Sequence, residues 1–155
     1  MLPEITTFLI IQIFNKIAET YIMHQVEHIG IAVKSLSASQ SLFEKLLNTQ
    51  CYKTEKVETE GVNTAFYQVG DTKIELLESI NEDGVISRFI QNRGEGIHHI
   101  AFAVKDIRSE MKRLKDAGFK LLNEEPKAGA DNKWVCFLHP KHTNSVLVEL
   151  CQERS

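Results

Sequence analysis

His28-Ile29-Gly30-Ile31-Ala32-Val33-Lys34 returns 71 residues later as His99-Ile100-Ala101-Phe102-Ala103-Val104-Lys105, with five of the seven positions identical. Each copy alternates and is rich in β-branched residues, as a strand half-buried on one face would be. The segment after each copy also repeats in type. Ser35 to Leu47 carries Leu36, Leu42, Phe43, Leu46 and Leu47 at helical spacing, with Ser37 and Gln40 placed as a capping box. Asp106 to Ala117 carries Ile107, Met111 and Leu114, and Gly118 is placed to end that helix. Strand-like segments come next: Asn63–Val69 and Thr72–Leu77 around the turn Gly70-Asp71, and Trp134–His139 and Val146–Cys151 around a loop over Pro140–Ser145. Lys53–Glu58 and Lys120–Asn123 are weaker strand candidates ahead of them, and Phe66 and Phe137 share the offset of 71. A helix-like patch (Val85, Ile86, Phe89, Ile90) lies in the link over residues 79–96.

The expected fold is therefore α+β: two tandem βαβββ modules, about 24–78 and 97–152, packed together over a shared sheet face. Each half is too small to bury a comfortable core alone, so residues 23–155 are expected to be a single domain. Residues 1–22 differ. Ile5, Phe8, Leu9, Ile13, Ile17 and Tyr21 fall on one helical stripe, which suggests a helical extension packed on the domain or a partner; the other reading takes Met23 as the natural start. The apolar run Phe8–Phe14 is shorter than the roughly 20 residues a membrane span needs, and Pro3 and Glu4 do not suit a secretory signal.

Composition narrows the function. The 155 residues carry 18 Lys and Arg against 21 Asp and Glu, a net charge of −3, without the basic excess of a nucleic-acid surface. Apolar residues at 43% suit a folded globule. Three cysteines without a CxxC spacing argue against a disulfide framework or a structural Cys–zinc site and favour a reducing cytoplasm. No Walker A loop, GxGxxG, GxSxG or HExxH is present.

Duplicated halves usually meet about a pseudo-twofold axis, which brings equivalent residues together. His28 then pairs with His99. Glu75, in Lys73-Ile74-Glu75-Leu76-Leu77, pairs with Glu149, in Leu147-Val148-Glu149-Leu150, at an offset of 74 that the longer Pro140–Ser145 loop absorbs. Alternation puts Gly30 and Ala32 on the His28 face, and Ala101 and Ala103 on the His99 face, leaving room beside both rings. A lone strand histidine is more often a hydrogen-bonded core or surface residue than a ligand. Two histidines and two carboxylates related pairwise by a repeat suit a divalent first-row metal with open positions. By the same alternation His98 points away from the site. Lys127, Lys133, Lys141 and His142 form a loosely basic set, read either as solvated loop residues or as contacts to a phosphate-bearing ligand.

These residues resemble the vicinal oxygen chelate superfamily and, within it, the methylmalonyl-CoA epimerases. The resemblance covers about residues 24–152. It rests on Thr72-Lys73-Ile74-Glu75-Leu76-Leu77, Gly94-Glu95-Gly96-Ile97-His98-His99-Ile100-Ala101, Glu124-Glu125-Pro126-Lys127-Ala128-Gly129-Ala130, Phe137-Leu138-His139-Pro140-Lys141 and Val146-Leu147-Val148-Glu149-Leu150. It implies that the two modules form one curved, cupped mixed sheet around a metal site, with one divalent metal (Co2+ or Mn2+, with Zn2+ or Ni2+ also admissible) on His28, Glu75, His99 and Glu149. It further implies a 1,1-proton transfer at C2 of methylmalonyl-CoA with Glu149 as ligand and base, and CoA contacts from Lys127 and Lys141. The implied partner is a small CoA thioester rather than nucleic acid or membrane, in a cytoplasmic homodimer. The chain departs from some relatives by having Thr64 where they carry a catalytic Glu. Two other readings share the fold: a glyoxalase I-type lactoylglutathione lyase, and a non-enzymatic small-molecule binding protein.

Overall fold

A computed structural model describes residues 9–13, 23 and 25–155. The elements are β1 (Gln25–Ala32), α1 (Leu36–Leu47), β2 (Lys53–Val57), β3 (Val62–Val69), β4 (Thr72–Ser79), α2 (Val85–Arg93), β5 (Gly96–Ala103), α3 (Ile107–Asp116), β6 (Lys127–Ala128), β7 (Lys133–Leu138), a 3-10 turn (Pro140–His142) and β8 (Leu147–Glu153). The expected extension over residues 1–22 lies largely outside the described residues; within it, residues 9–13 are helical, with Leu9, Ile10, Ile11 and Ile13 exposed.

The eight strands form one sheet in the order β2-β3-β4-β1-β5-β8-β7-β6. The two first strands of the modules, β1 and β5, pair antiparallel at its centre. Each then pairs in parallel with the last strand of its own module, β1 with β4 and β5 with β8. This is the α+β arrangement of two βαβββ modules that the repeat implies. The outer face is closed by helices: Ile31 and Val33 pack with Leu36, Phe43 and Leu47 of α1, and Val104 packs with Ile107, Met111 and Leu114 of α3. The α2 helix instead covers one end of the inner face, where Ile86 meets Ala32, Val57, Val62 and Leu77.

Two local readings are corrected. Helix α1 is capped by Ser35, whose Oγ accepts from Ala38 N at 3.3 Å, and not by a Ser37–Gln40 box. Ser35 is still extended (φ −138°), so it holds the N-cap position and leaves Ser37 inside the first turn. Lys120–Asn123 forms no strand; it makes a single bridge, Leu121 to Leu138. The Asn123 side chain takes over the ladder, accepting from Phe137 N and donating to Glu125 O, so the backbone turns away. The strand at that edge is instead the two-residue β6.

The sheet curls until its two edges meet. Asp131, in the β6–β7 turn, accepts from Lys53 Nζ at 3.1 Å and Lys73 Nζ at 2.8 Å, while its N–H donates to Glu55 Oε2 at 3.0 Å. Thr59 Oγ1 donates to Ala128 O at 3.4 Å. Side chains, not a backbone ladder, close this seam.

Candidate metal centre and cavity

The four central strands each deliver one donor to the same point. Register places His28 beside Ala101 and His99 beside Gly30 across the β1–β5 pair. It places Glu75 beside Gly30 and Glu149 beside Ala101 in the two parallel pairs. Thus each imidazole faces a residue with little or no side chain. At Gly30 this is obligatory, since a Cβ there would lie 2.2 Å from His99 Cε1.

The Nε2 atoms of His28 and His99 are 2.9 Å apart. Glu75 Oε2 lies 3.3 and 3.6 Å from them, and Glu149 Oε2 lies 3.7 and 3.3 Å. All four residues are buried. Metal–N and metal–O bonds of roughly 2.0–2.2 Å place neighbouring donors about 3 Å apart, so this cluster has the dimensions of a divalent first-row site. The tightest trio is His28, His99 and Glu149, whose donor atoms all fall within 4.8 Å of one another; Glu75 joins through both histidines.

The charges ask for a cation at the centre. Burial works against a charged His28, yet the carboxylates of Glu149, Glu27 and Glu75 raise it to about 10. Burial pushes Glu149 up, but His28 and His99 bring it below the ordinary carboxylate range. A metal ion satisfies the same carboxylates in place of a proton on the ring. A second grouping, Glu27, His28 and Cys151, fits less well. The Cys151 thiol donates to Phe102 O at 3.4 Å, and burial pushes its pKa far up.

Behind each histidine stands a residue that strand alternation hides. The β1–β5 ladder contains two bulges, in which Glu27 is the extra residue of β1 and His98 the extra residue of β5. Both therefore line the cavity with their neighbours. This corrects the expectation that His98 points away. Glu27 Oε2 is 2.5 Å from His28 Nδ1, and His98 Nδ1 is 3.0 Å from His99 Nδ1. Such partners fix the tautomer and ring orientation of a ligating imidazole. Glu27 opens a buried ionic network, 2.5 Å from Lys73 Nζ and 3.4 Å from Lys133 Nζ. Burial opposes its charge, but His28 and Lys73 hold it down to about 2. Burial and the adjacent His99 hold His98 at about 4.

Above the donors lies a cavity of about 240 Å³, walled by apolar groups including Val62, Phe66, Leu77, Ile86, Val135 and Phe137. Lys127 reaches it, with Nζ 2.8 Å from Glu60 Oε1 and 5.3 Å from the Phe137 ring centre. Lys141 sits on the 3-10 turn and is not part of the cavity wall. Thr64 is fully buried and donates to Glu55 O at 3.3 Å. The sequence reading missed Glu27 and Glu60. The offset of 71 that pairs the histidines also pairs Glu27 with His98 and Glu60 with Asp131, and was the available signal.

Comparisons agree with this architecture. Residues 27–137 match the model of the Glyoxalase/Bleomycin resistance protein/Dioxygenase superfamily. An uncharacterized protein of Bacillus subtilis is 38% identical over 85% of this chain and 94% of its own. The ethylmalonyl-CoA/methylmalonyl-CoA epimerase of Cereibacter sphaeroides is 40% identical over 83% of this chain and 97% of its own. A crystal structure of a variant of the Streptomyces coelicolor methylmalonyl-CoA epimerase, in complex with 2-nitronate-propionyl-CoA, superposes with a TM-score of 0.81. It is 31% identical and covers 86% of this chain and all (100%) of that one. With its paired modules, central donor cluster and these relatives, the chain belongs to the glyoxalase/bleomycin resistance/dioxygenase superfamily and, within it, to the family of the methylmalonyl-CoA epimerases.

Proposed function

We propose that this protein epimerises methylmalonyl-CoA at C2 by a 1,1-proton transfer. The observation that carries the reading is the convergence of His28, Glu75, His99 and Glu149 on the floor of one cavity, in a chain 40% identical to an epimerase of ethylmalonyl-CoA and methylmalonyl-CoA. In this reading those four residues hold a divalent ion, Co2+ or Mn2+ first. Such an ion, when bound, supplies Lewis-acid polarisation of the substrate's oxygens and so acidifies C2. The chain does the rest. Glu149 is ligand and base, taking the C2 proton from one face of the carbon, and a second acid returns a proton to the other face. The buried partners Glu27 and His98 fix the two rings. The apolar walls keep water from the carbanionic carbon, and Lys127 and Lys141 serve the carboxylate and phosphates of the substrate, one at the cavity and one outside it.

The test is isotopic. In D2O, methylmalonyl-CoA incubated with the protein is expected to gain deuterium at C2 as its configuration scrambles. Exchange should stop on metal removal and resume on its restoration. A protein that leaves this thioester untouched and isomerises a glutathione hemithioacetal is a lyase of the glyoxalase type.

A further inference from the structure

Epimerisation needs a proton taken from one face of a planar carbon and a proton given to the other. A single carboxylate fixed in the floor of the cavity reaches one face. Five carboxylates line this cavity. Glu75 and Glu149 belong to the donor cluster, Glu27 is tied to His28 and Lys73, and Asp131 is tied to Lys53 and Lys73. Glu60 has one ionic partner, the Lys127 ammonium, which itself lines the cavity. It projects from the turn between β2 and β3, and its Oε1 is buried with no hydrogen-bond partner among the described residues. The Lys127 ammonium lies 2.8 Å from that oxygen but off the direction a hydrogen bond requires. The ion pair offsets the charge of this oxygen but leaves its hydrogen-bonding capacity free.

Its place in the fold suits the missing role. Glu60 and Asp131 are equivalent in the repeat, each in the turn ahead of its module's inner strand, and both face the cavity. Asp131 is held in the seam. Glu60 instead stands at the end of a chain of contacts that runs from His99 to the Phe137 ring (5.9 Å), from Phe137 to Lys127 (5.3 Å) and from Lys127 to Glu60 (2.8 Å). The donor cluster and this turn line the same cavity, so a substrate seated on the floor faces both.

We infer that Glu60 is the second proton-transfer group, acting on the face of C2 opposite Glu149; this rests on the epimerase reading above. For one direction, Glu149 takes the C2 proton. The C–H electron pair passes into the thioester carbonyl, giving the enolate. Protonated Glu60 then forms the new C2–H bond from the other side, and the enolate electrons return to carbon. One proton has moved onto Glu149 and one has left Glu60, and exchange with water resets both. The reverse direction exchanges their roles. Lys127 is then a positioning residue for Glu60 as well as a cavity cation.

The experiment tracks each epimer of methylmalonyl-CoA separately in D2O with the metal-loaded wild type and with Glu60→Gln. The wild type is expected to exchange and invert both. The variant is expected to bind metal as the wild type does and to lose epimerisation by ~10²–10⁴-fold, the range of one proton-transfer group. It should still exchange the C2 proton of one epimer, the one whose proton faces Glu149. Epimerisation by the variant within about threefold of wild type, or an equal loss of exchange from both epimers at normal metal content, overturns the assignment of Glu60. A wild type that neither exchanges nor inverts either epimer overturns the epimerase reading itself, and Glu60's role with it.

Discussion

The two modules build the same geometry with different chemistry behind it. In each, a bulge one residue before the histidine turns a second polar side chain toward that ring's Nδ1. In the first module this residue is Glu27, ionised and linked to Lys73 and Lys133. In the second it is His98, held neutral by burial and by His99. The modules differ again opposite the rings, where Gly30 faces His99 and Ala101 faces His28. The difference teaches that duplication fixes where donors point, while the residue behind each sets how strongly it donates. An anion behind His28 raises that ring's basicity; a neutral imidazole behind His99 orients without adding charge.

The largest expected effect removes one side of the pair. His99→Ala should lower metal content after purification far below one ion per chain, and normal content in that variant would sink the ligand assignment. Next comes Glu149→Gln, which keeps an oxygen donor but no base. The metal should be partly retained while kcat falls by ~10²–10⁴-fold, read by chiral assay of the product.

Gly30→Ala breaks the comparison from the other side, since it makes the first module's small residue equal to the second's. The added Cβ would sit 2.2 Å from the His99 ring. Overpacking of this kind costs about 1–3 kcal/mol, measurable by denaturant unfolding, and the displaced ring should also weaken metal binding. The reverse change, Ala101→Gly, should leave metal binding intact.

The outer partners sharpen the comparison further. Their replacement typically costs ~10–100-fold in metal affinity, and Glu27→Gln should fall at the high end and His98→Gln at the low end in a competition titration. The metal-free protein offers an independent readout. His98 has a folded pKa of about 4 against an ordinary 6.5, so its contribution is complete above 6.5 and lost as pH falls toward 4. Glu27 sits at about 2 against an ordinary 4.5, so its contribution is complete above 4.5 and lost on the way down to 2. Each Gln variant should flatten its own segment of the stability-versus-pH curve and leave the other. The smallest effect is expected at Lys141, where Lys141→Ala should raise KM by a few-fold at unchanged kcat.

How far the sequence carries depends on which interaction sets a residue's direction. His28, His99, Glu75 and Glu149 were legible because the repeat pairs them and ordinary alternation turns them inward. Alternation misplaces His98 because one extra residue in the ladder inverts parity, and nothing in Gly94-Glu95-Gly96-Ile97 announces the bulge. Glu60 is not legible in the sequence because a turn carboxylate ordinarily faces water. Only the curl of the sheet, a tertiary event, brings that turn over the cavity. Asn123 misled in a smaller way, since its side chain imitates a strand's backbone hydrogen bonds.

An open sheet leaves two rows of unpaired backbone groups, and such rows recruit foreign strands. Here the rows are turned toward each other, one of them only two residues long, with Lys53, Glu55 and Asp131 crossing the gap. A stray strand meets ammonium and carboxylate groups rather than a run of free N–H and C=O. The seam that shapes the cavity is thus also a guard against aggregation. Variants that open it, such as Asp131→Ala, should reveal this first as a loss of solubility on prolonged storage, before any loss of fold.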